Sequence, residues 1–412
     1  MKKQASTLTN PAWQKNTVLF ISSQAITLFG SSIVQMAIIW QVALDTSSGL
    51  WITLLSLSGT LPQLIVSFFG GVLADRYARK KLIILADSFI AVVTFMLAMA
   101  ILIGRTADLL PWLLVVSMLR SLGSGIQTPA VSAVIPQIVP EEHLIRYNGI
   151  NSSMLAIVQF AAPAVAGAIL YLAPFYVILL LDVLTAIIGL LILLFVVIPY
   201  KKLEPSKEKV SFFSDMKSGV SYAAKNSLVR QTLLAFGTFI FLCTPSGFLS
   251  VLMIERIFGD SYMYLSVNEM AGFAGMVVGG LILGMWGGFK TRQKTMALGL
   301  ICYGLFSVML GFVDKFWLFA ALMFMISFFI PIVQSSATTL LQENVPEDKL
   351  GRVFSLFGIM YNGFMPLGMA FFGPLADKVE IQFLVIFCGI AILVLGFRLL
   401  FNLSVRGKAT LK

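Results

Sequence analysis

Long apolar runs follow one another along the chain, and polar residues gather in the short segments between them. Twelve runs have about the 20 residues that a helix needs to cross the ~30 Å hydrocarbon core of a membrane, and none alternates like a half-buried strand. In lipid, only helices and closed barrels satisfy the backbone. The pattern therefore predicts an all-α integral membrane protein with twelve transmembrane helices, at residues 18–43, 51–74, 82–103, 110–135, 149–172, 175–198, 230–254, 267–288, 295–313, 316–341, 354–376 and 381–403.

Two charged phrases repeat between these runs. VPEEHLIR (139–146) and VPEDKLGR (345–352) agree at five of eight positions, and their offset of 206 is half of the 412 residues. GVLADRYARKK (71–81) and GMWGGFKTRQK (284–294) share a glycine, an arginine and a lysine at matching positions. Internal repeats of membrane helices are typical of secondary transporters. We therefore predict two pseudo-symmetric six-helix bundles.

The segment at the middle of the chain interrupts the apolar rhythm. Residues 199–211 are rich in Lys, Glu, Ser and Pro, and FFSDMKSGVSYAA (212–224) has the pattern of an amphipathic helix on a membrane surface. We divide the chain into a first bundle (1–198), a cytoplasmic linker with this amphipathic helix (199–229) and a second bundle (230–412).

Composition excludes a soluble protein and charge sets the orientation. Hydrophobic residues make up 58% of the chain and charged residues 12%, against about half and about a quarter in soluble domains. The net charge of +10 could indicate nucleic-acid binding, but 23 of the 29 basic residues fall on one side of the predicted spans and four on the other. That asymmetry follows the positive-inside rule. It predicts a multi-pass protein of a bacterial-type inner membrane with both termini cytoplasmic, and no nucleic-acid partner.

Motifs for cofactor chemistry are missing from the sequence. Three cysteines lie far apart in predicted spans, a single histidine stands in a loop, and no G-x-x-x-x-G-K-[ST] loop occurs. We therefore expect no metal, no cofactor and no enzymatic activity, with an ion gradient or the downhill flow of substrate as the energy source.

Charged residues inside the spans are the first candidates for function, because each costs at least about 2.5–3.5 kcal/mol at mid-helix. Arg120 lies in span 4 on one face with Ser117, Ser124 and Gln127. Asp182 lies in span 6, and a carboxylate in a low-dielectric site tends to hold a proton unless it is paired. One hypothesis is that Asp182 titrates, with Arg120 as its partner or as a binder of anionic substrate groups. The alternative is a permanent structural clamp between the two.

Two other acids are weaker coupling candidates. Asp87 enters span 3 from the cytoplasmic side, where pairing with Lys80 or Lys81 is the alternative to a proton-carrying role. Glu269 enters span 8 from the outside, where it could attract cationic compounds or simply be solvated.

Polar side chains at helical spacing indicate a central substrate cavity. Span 1 places four on one face, and spans 4, 10 and 11 add others. Small polar residues also pack helices closely, which is the alternative interpretation. The cavity candidates are Gln24, Thr27, Ser31, Gln35, Ser124, Gln127, Gln334 and Asn362.

The loop GVLADRYARKK resembles the G-x-L-a-D-R-x-G-R-R/K loop of the major facilitator superfamily at its expected position. The match departs at Ala78, and the antiporter pattern G-P-x-x-G-G of span 5 survives only as APAVAG (162–167). In that family the loop aspartate is thought to face the start of span 11 and to lock the outward-open state. The resemblance therefore implies that Asp75 lies near Arg352. The implied conformational-switch motif is Gly71, Asp75, Arg76, Arg79 and Arg352, with Arg79 expected to hold an acidic end of a neighbouring span.

Other segments are similar to the macrolide-efflux (Mef-type) branch, which is related to enterobactin exporters. They are QMAII (35–39), RSLGSGIQTPAVSAVIPQIVPEEHL (120–144), GLILG (280–284), LGRVFSL (350–356) and MPLG (365–368). The resemblance implies drug:proton antiport that exports bulky amphipathic compounds such as macrolides by alternating access.

Several alternatives to drug export stay open. They are export of a siderophore or another endogenous metabolite, a lysophospholipid or lipid flippase, and a non-transporting membrane receptor. The expected partners are a small amphipathic substrate, protons and membrane lipid, and the protein is expected to function as a monomer driven by a proton gradient.

Overall fold

The computed structural model describes residues 12–104, 108–198 and 220–409, and all regular structure in these ranges is helical. The first half contains six long helices and one 3₁₀ turn (Glu141–His143). These are α1 (Ala12–Thr46), α2 (Gly49–Arg76), α3 (Arg79–Leu102), α4 (Leu110–Ile138), α5 (Leu144–Leu172) and α6 (Phe175–Phe195). The second half contains α7 (Ser227–Leu242), α8 (Thr244–Gly247), α9 (Ser250–Phe258), α10 (Tyr262–Trp286), α11 (Arg292–Leu310), α12 (Phe316–Asn344), α13 (Glu347–Ala376) and α14 (Ile381–Ala409).

Eleven helical segments in the described ranges are long and apolar enough to cross a membrane, with Ser227–Phe258 counting as one. Helix α4 has 29 residues, and at about 1.5 Å per residue it is also long enough to span. Its polar stripe lowers its hydropathy below that of the other spans. With α4 included, the predicted all-α membrane fold of twelve spans is confirmed.

Span 7 is not the single helix that the sequence predicts. Helix α7 ends at Leu242, α8 is one short turn, and α9 begins at Ser250. Pro245 stands at the start of α8 and has no backbone N–H to continue the ladder of α7. Predicted span 7 therefore consists of three short helices rather than one continuous helix.

The repeated phrases form the same junction in each half. Val139 ends α4 with φ −108° and ψ 130°, and its N–H donates to the Ile135 carbonyl. Val345 ends α12 with φ −109° and ψ 128°, and its N–H donates to the Leu341 carbonyl. A proline follows each valine, and the residue before proline favours this extended conformation. The sequence repeat is therefore also a repeat of backbone geometry.

The chain forms two compact units, the first comprising Met1–Val42 and Leu54–Pro205. Within it, α3 packs against α4 and α6. Helix α1 approaches α6 closely, because a Cβ at Gly30 would lie only 1.9 Å from Thr185 Oγ1. The Ser23 hydroxyl donates to the Gly189 carbonyl at 2.8 Å across the same contact. Small residues thus bring the polar face of α1 next to Asp182 of α6.

The second unit comprises Ala43–Thr53 and Ser206–Lys412. Helix α11 packs against α14, and α10 packs against α12. Two glycines of α10 make the second contact possible, since a Cβ at Gly275 would lie 2.1 Å from the Phe324 carbonyl oxygen and one at Gly279 would lie 2.0 Å from that of Phe328. Backbone contacts of this kind are common where membrane helices associate.

Asp377, directly after α13, caps the start of α2 within the second unit. Its carboxylate accepts hydrogen bonds from the N–H of Gly49 at 2.7 Å and of Leu50 at 2.9 Å, and from the Ser48 hydroxyl at 3.0 Å. Arg256 adds an ion pair at 3.1 Å. Burial raises the pKa of Asp377, but these hydrogen bonds outweigh it, so that its pKa is lowered from the usual 3.8. The carboxylate satisfies N–H groups that a helix start leaves free.

Candidate functional site

The first unit contains a cavity of about 390 Å³ to which all six of its long helices contribute. Three of the four residues in each polar stripe predicted on α1 and α4 line it. Two predicted acidic residues join them from α3 and α6. The predicted residues that line the cavity are Thr27, Ser31, Gln35, Asp87, Arg120, Ser124, Gln127 and Asp182.

Arg120 and Asp182 form a buried ion pair at the wall of this cavity. The guanidinium Nη1 contacts Asp182 Oδ2 and also donates to the Thr94 hydroxyl. The two side chains are 7% and 1% exposed. Ser31 donates a hydrogen bond to the other carboxylate oxygen of Asp182 at 3.3 Å. The pairing expected from the sequence is present, and it leaves Asp182 with a cation and a hydroxyl as partners.

Asp87 has a different environment, and the expected pairing with Lys80 or Lys81 is wrong. Lys80 instead donates to the carbonyls of Leu194 at 2.9 Å and Val196 at 2.7 Å, at the end of α6. Asp87 is 2% exposed. Its Oδ1 accepts a hydrogen bond from Gln127 Nε2 at 2.7 Å. Lys80 is drawn away because the last carbonyls of a helix attract a cation.

The charges around Asp87 do not balance within the cavity. Asp87, Arg120 and Asp182 are the charged residues that line it, and Arg120 is already paired with Asp182. In the described part of the chain, no basic side chain lies within ion-pair distance of Asp87, and its Oδ2 has no hydrogen bond. A buried carboxylate without a cation is strongly disfavoured. A proton or a cationic ligand group at Asp87 would remove this imbalance.

Several cavity residues escaped the sequence analysis. Gln63 of α2 and Gln159 of α5 line it, as do Thr60 and Thr128. Thr94 supports Arg120 from α3. Thr94 and Gln159 are isolated polar residues in apolar runs, whereas Thr128 follows Gln127 directly and Thr60 lies close to Ser58. A glutamine isolated in a span was the signal that could have found two of them, since a buried amide needs a polar partner or a cavity.

Four other predicted residues do not line this cavity. Gln24 lies on α1 with its Nε2 buried and unpaired among the described residues. Gln334, Asn362 and Glu269 belong to the second unit, where Asn362 donates to the Gly358 carbonyl at 3.0 Å. Glu269 is half-buried on α10, with no hydrogen-bond partner in the described ranges.

The loop motif is described only in part. Gly71, Asp75 and Arg76 lie in the last turns of α2, and their surroundings are outside the described residues. Arg79 donates from Nη1 to the Ala133 carbonyl, near the end of α4. Arg352 lies exposed in the second turn of α13. The proximity of Asp75 to Arg352 stays a prediction.

The model of the Major Facilitator Superfamily matches residues 20–369 of the chain, with a second match over 234–411. The chain belongs to the Major Facilitator Superfamily. It is 29% identical over 373 residues to macrolide efflux protein A of Streptococcus pyogenes, and the alignment covers 90% of this chain and 91% of that protein. It is 30% identical over 318 residues to macrolide efflux protein A of Enterococcus faecalis, and the alignment covers 76% of this chain and 98% of that protein. The expected placement in the Mef-type branch is confirmed.

Other transporters are similar to this chain at lower identity. A staphyloferrin A transporter of Staphylococcus aureus is 22% identical over 367 residues, covering 88% of this chain and 89% of that protein. The crystal structure of the nucleoside transporter NupG aligns with a TM-score of 0.70 at 14% identity, over 95% and 99% of the two chains. This superfamily member is thus a multi-pass transporter of a bacterial membrane that takes a small-molecule substrate, and it is not an enzyme.

Proposed function

We propose that this transporter exports bulky amphipathic compounds, macrolide-like and cationic, in exchange for protons. The observation that carries the proposal is the charge inventory of the first-unit cavity, which has two carboxylates and one guanidinium. The expected orientation, with both termini cytoplasmic, remains part of the proposal.

Arg120 and Asp182 form the fixed part of the site. Breaking a buried ion pair leaves an uncompensated charge and costs about 3–5 kcal/mol. Because the carboxylate of Asp182 is held by Arg120 and Ser31, a cationic substrate group would have to displace the guanidinium to reach it. This moves the proposed exchange from Asp182, the first candidate from sequence, to Asp87.

Asp87 is the residue at which a proton and a cationic substrate group alternate. When the cavity is empty, a proton on Asp87 removes the charge that the low-dielectric surroundings disfavour. Gln127 can bond either form, because its amide donates through Nε2 and accepts through its oxygen. A cationic substrate group beside Asp87 stabilises the carboxylate, and the proton leaves. Competition between proton and cation at one carboxylate is a coupling device.

The two carboxylates and one guanidinium that line the cavity also argue against a strongly anionic siderophore as the substrate. Such a compound needs unpaired cationic groups in its cavity, and the guanidinium of Arg120 is occupied by Asp182. The similarity to macrolide efflux proteins over most of the chain supports drug export.

The test uses energised inside-out membrane vesicles with a fluorescent dye that reports lumenal acidity. Adding a basic macrolide should release lumenal protons in vesicles that contain the protein and not in vesicles without it. Asp87→Asn should abolish the release, whereas Asp108→Asn, which removes an exposed loop carboxylate, should leave it unchanged. Proton release on adding an anionic metabolite but no amphiphile would overturn the proposal.

A further inference from the structure

The cavity holds more unpaired hydrogen-bonding groups than a purely apolar ligand can use. Three primary amides and three hydroxyls line it without a side-chain hydrogen bond to any described residue. They come from six positions on four helices, two on α1, one on α2, two on α4 and one on α5. These six are Ser32, Gln35, Gln63, Ser124, Thr128 and Gln159.

Neighbouring polar residues do not belong to this set, because their groups are already used. Thr27 donates to the Ser23 carbonyl at 3.1 Å, and Thr60 donates to the Ser56 carbonyl at 2.8 Å. Ser121 accepts from the Gln63 N–H at 2.9 Å. In helices, Ser and Thr hydroxyls commonly donate to a backbone carbonyl of the preceding turn. The six residues without such a bond therefore differ from the other polar residues of the lining.

Amides and hydroxyls each donate and accept, so together they suit a ligand with many hydroxyl and ether oxygens. Asp87 adds a carboxylate that lacks a cation. A ring that carries both hydroxyls and a basic amine matches the two requirements at once. That combination is the chemistry of an amino sugar.

The size of the cavity agrees with a polar ring rather than a whole bulky compound. Its volume of about 390 Å³ lies near the lower end of the roughly 300–1,000 Å³ found for small-molecule pockets. Gln159 and Thr128 are exposed at its edge, so the rest of a larger molecule can extend beyond them.

We propose that the first-unit cavity is a subsite for the amino-sugar part of a glycosylated amphipathic substrate, with Asp87 facing the amine and Gln35 and Gln159 bonding the hydroxyls. This rests on the proposed export of macrolide-like compounds. It adds that the sugar, and not the lactone ring, occupies this cavity.

The test measures binding to the purified full-length protein in lipid nanodiscs. The probes are erythromycin, which carries a basic amino sugar, its lactone ring without sugars, and the methyl glycoside of the amino sugar alone. Gln35→Leu and Gln159→Leu each remove one amide from the cavity. Gln24→Leu is the matched control, because it removes an amide of α1 that lies outside the cavity.

Each cavity variant should weaken erythromycin binding roughly three- to tenfold, as expected for a lost hydrogen bond, while Gln24→Leu leaves it unchanged. The sugar-free lactone should bind more weakly and with equal affinity to all variants. A lactone that binds as tightly as erythromycin, or that loses affinity equally in Gln35→Leu and Gln159→Leu, would overturn the subsite.

The amino-sugar glycoside separates this inference from the proposed function. Binding of the glycoside that Gln159→Leu weakens, with no macrolide-dependent proton release, would refute proton-coupled macrolide export and support the subsite. Macrolide-dependent proton release without a sugar preference would support export and refute the subsite. Unchanged melting temperatures show that the variants are folded.

Discussion

Asp87 Oδ1 accepts a hydrogen bond from Gln127 Nε2 at 2.7 Å, and this contact joins α3 to α4 at the wall of the cavity. A neutral amide cannot cancel the charge of a carboxylate. The bond therefore orients Asp87 and is compatible with both the ionised and the protonated side chain.

Replacing Asp87 with Asn should uncouple proton movement from transport. The amide of Asn keeps the size of the side chain and can still accept from Gln127, but it cannot ionise. We expect erythromycin to cause no proton release in inside-out vesicles. Cells that produce the variant should lose efflux-dependent protection at normal protein levels. Normal proton release by this variant would show that the exchanging group is elsewhere.

The buried pair of Arg120 and Asp182 should cost far more to break than an exposed pair. Arg120→Gln or Asp182→Asn alone leaves a buried charge, and we expect the free energy of unfolding to fall by about 3–5 kcal/mol. The double variant should lose less than the sum, because neither charge remains. Thermal melting in detergent and a double-mutant cycle measure the coupling.

The exposed pair of Arg292 and Glu343 supplies the control for this cycle. Their side chains are 34% and 48% exposed at an N–O distance of 3.2 Å. Glu343→Gln should change stability by less than about 1 kcal/mol, as exposed ion pairs generally do. Equal losses at the two pairs would contradict a buried, charge-balanced role for Arg120.

The cap formed by Asp377 should give a pH-dependent contribution to stability. The pKa of Asp377 is lowered in the folded protein, so its contribution is present above the usual pKa of 3.8 and is lost as the pH falls through the folded value. Asp377→Asn should therefore lower the melting temperature at pH 7 and make no difference at strongly acid pH. Solvent screening limits the loss to about 1 kcal/mol.

Asp260→Asn is the matched control for the cap, since it removes an exposed loop carboxylate of the same unit. It should leave the melting temperature unchanged at either pH. A difference between Asp377→Asn and the native protein that persisted below the folded pKa would point to packing rather than charge.

Replacing either of two glycines of α10 with alanine should have opposite effects on the free energy of unfolding. A Cβ at Gly279 would lie 2.0 Å from the Phe328 carbonyl oxygen, whereas one at Gly284 meets nothing within 4 Å. Gly279→Ala must push α10 away from α12, and we expect a loss of about 1–3 kcal/mol. Gly284→Ala should be neutral or stabilising by up to about 1 kcal/mol, because alanine favours the helix. Thermal melting distinguishes the two, and equal effects would contradict the close α10–α12 contact.

The stripes of α1 and α4 could be predicted because each lies within one helix. Ser31 and Gln35 are four residues apart, so they share a face in any α-helix. The bond between Asp87 and Gln127 could not be predicted, since it depends on how α3 is placed along α4. The break in span 7 was not predicted, because TPSG (244–247) is a short interruption of a long apolar run and a proline does not always end a helix, as Pro62 inside α2 shows.

The sequence by itself determined the membrane-spanning helices, the duplication and the superfamily. These follow from the length of apolar runs, the distribution of basic residues and short repeated phrases, which are properties of the chain read in order. Only the tertiary structure decided that Arg120 balances Asp182 and leaves Asp87 without a cation. Charge balance at a buried site depends on distances of a few ångströms between side chains from different helices, and residue order does not fix those distances.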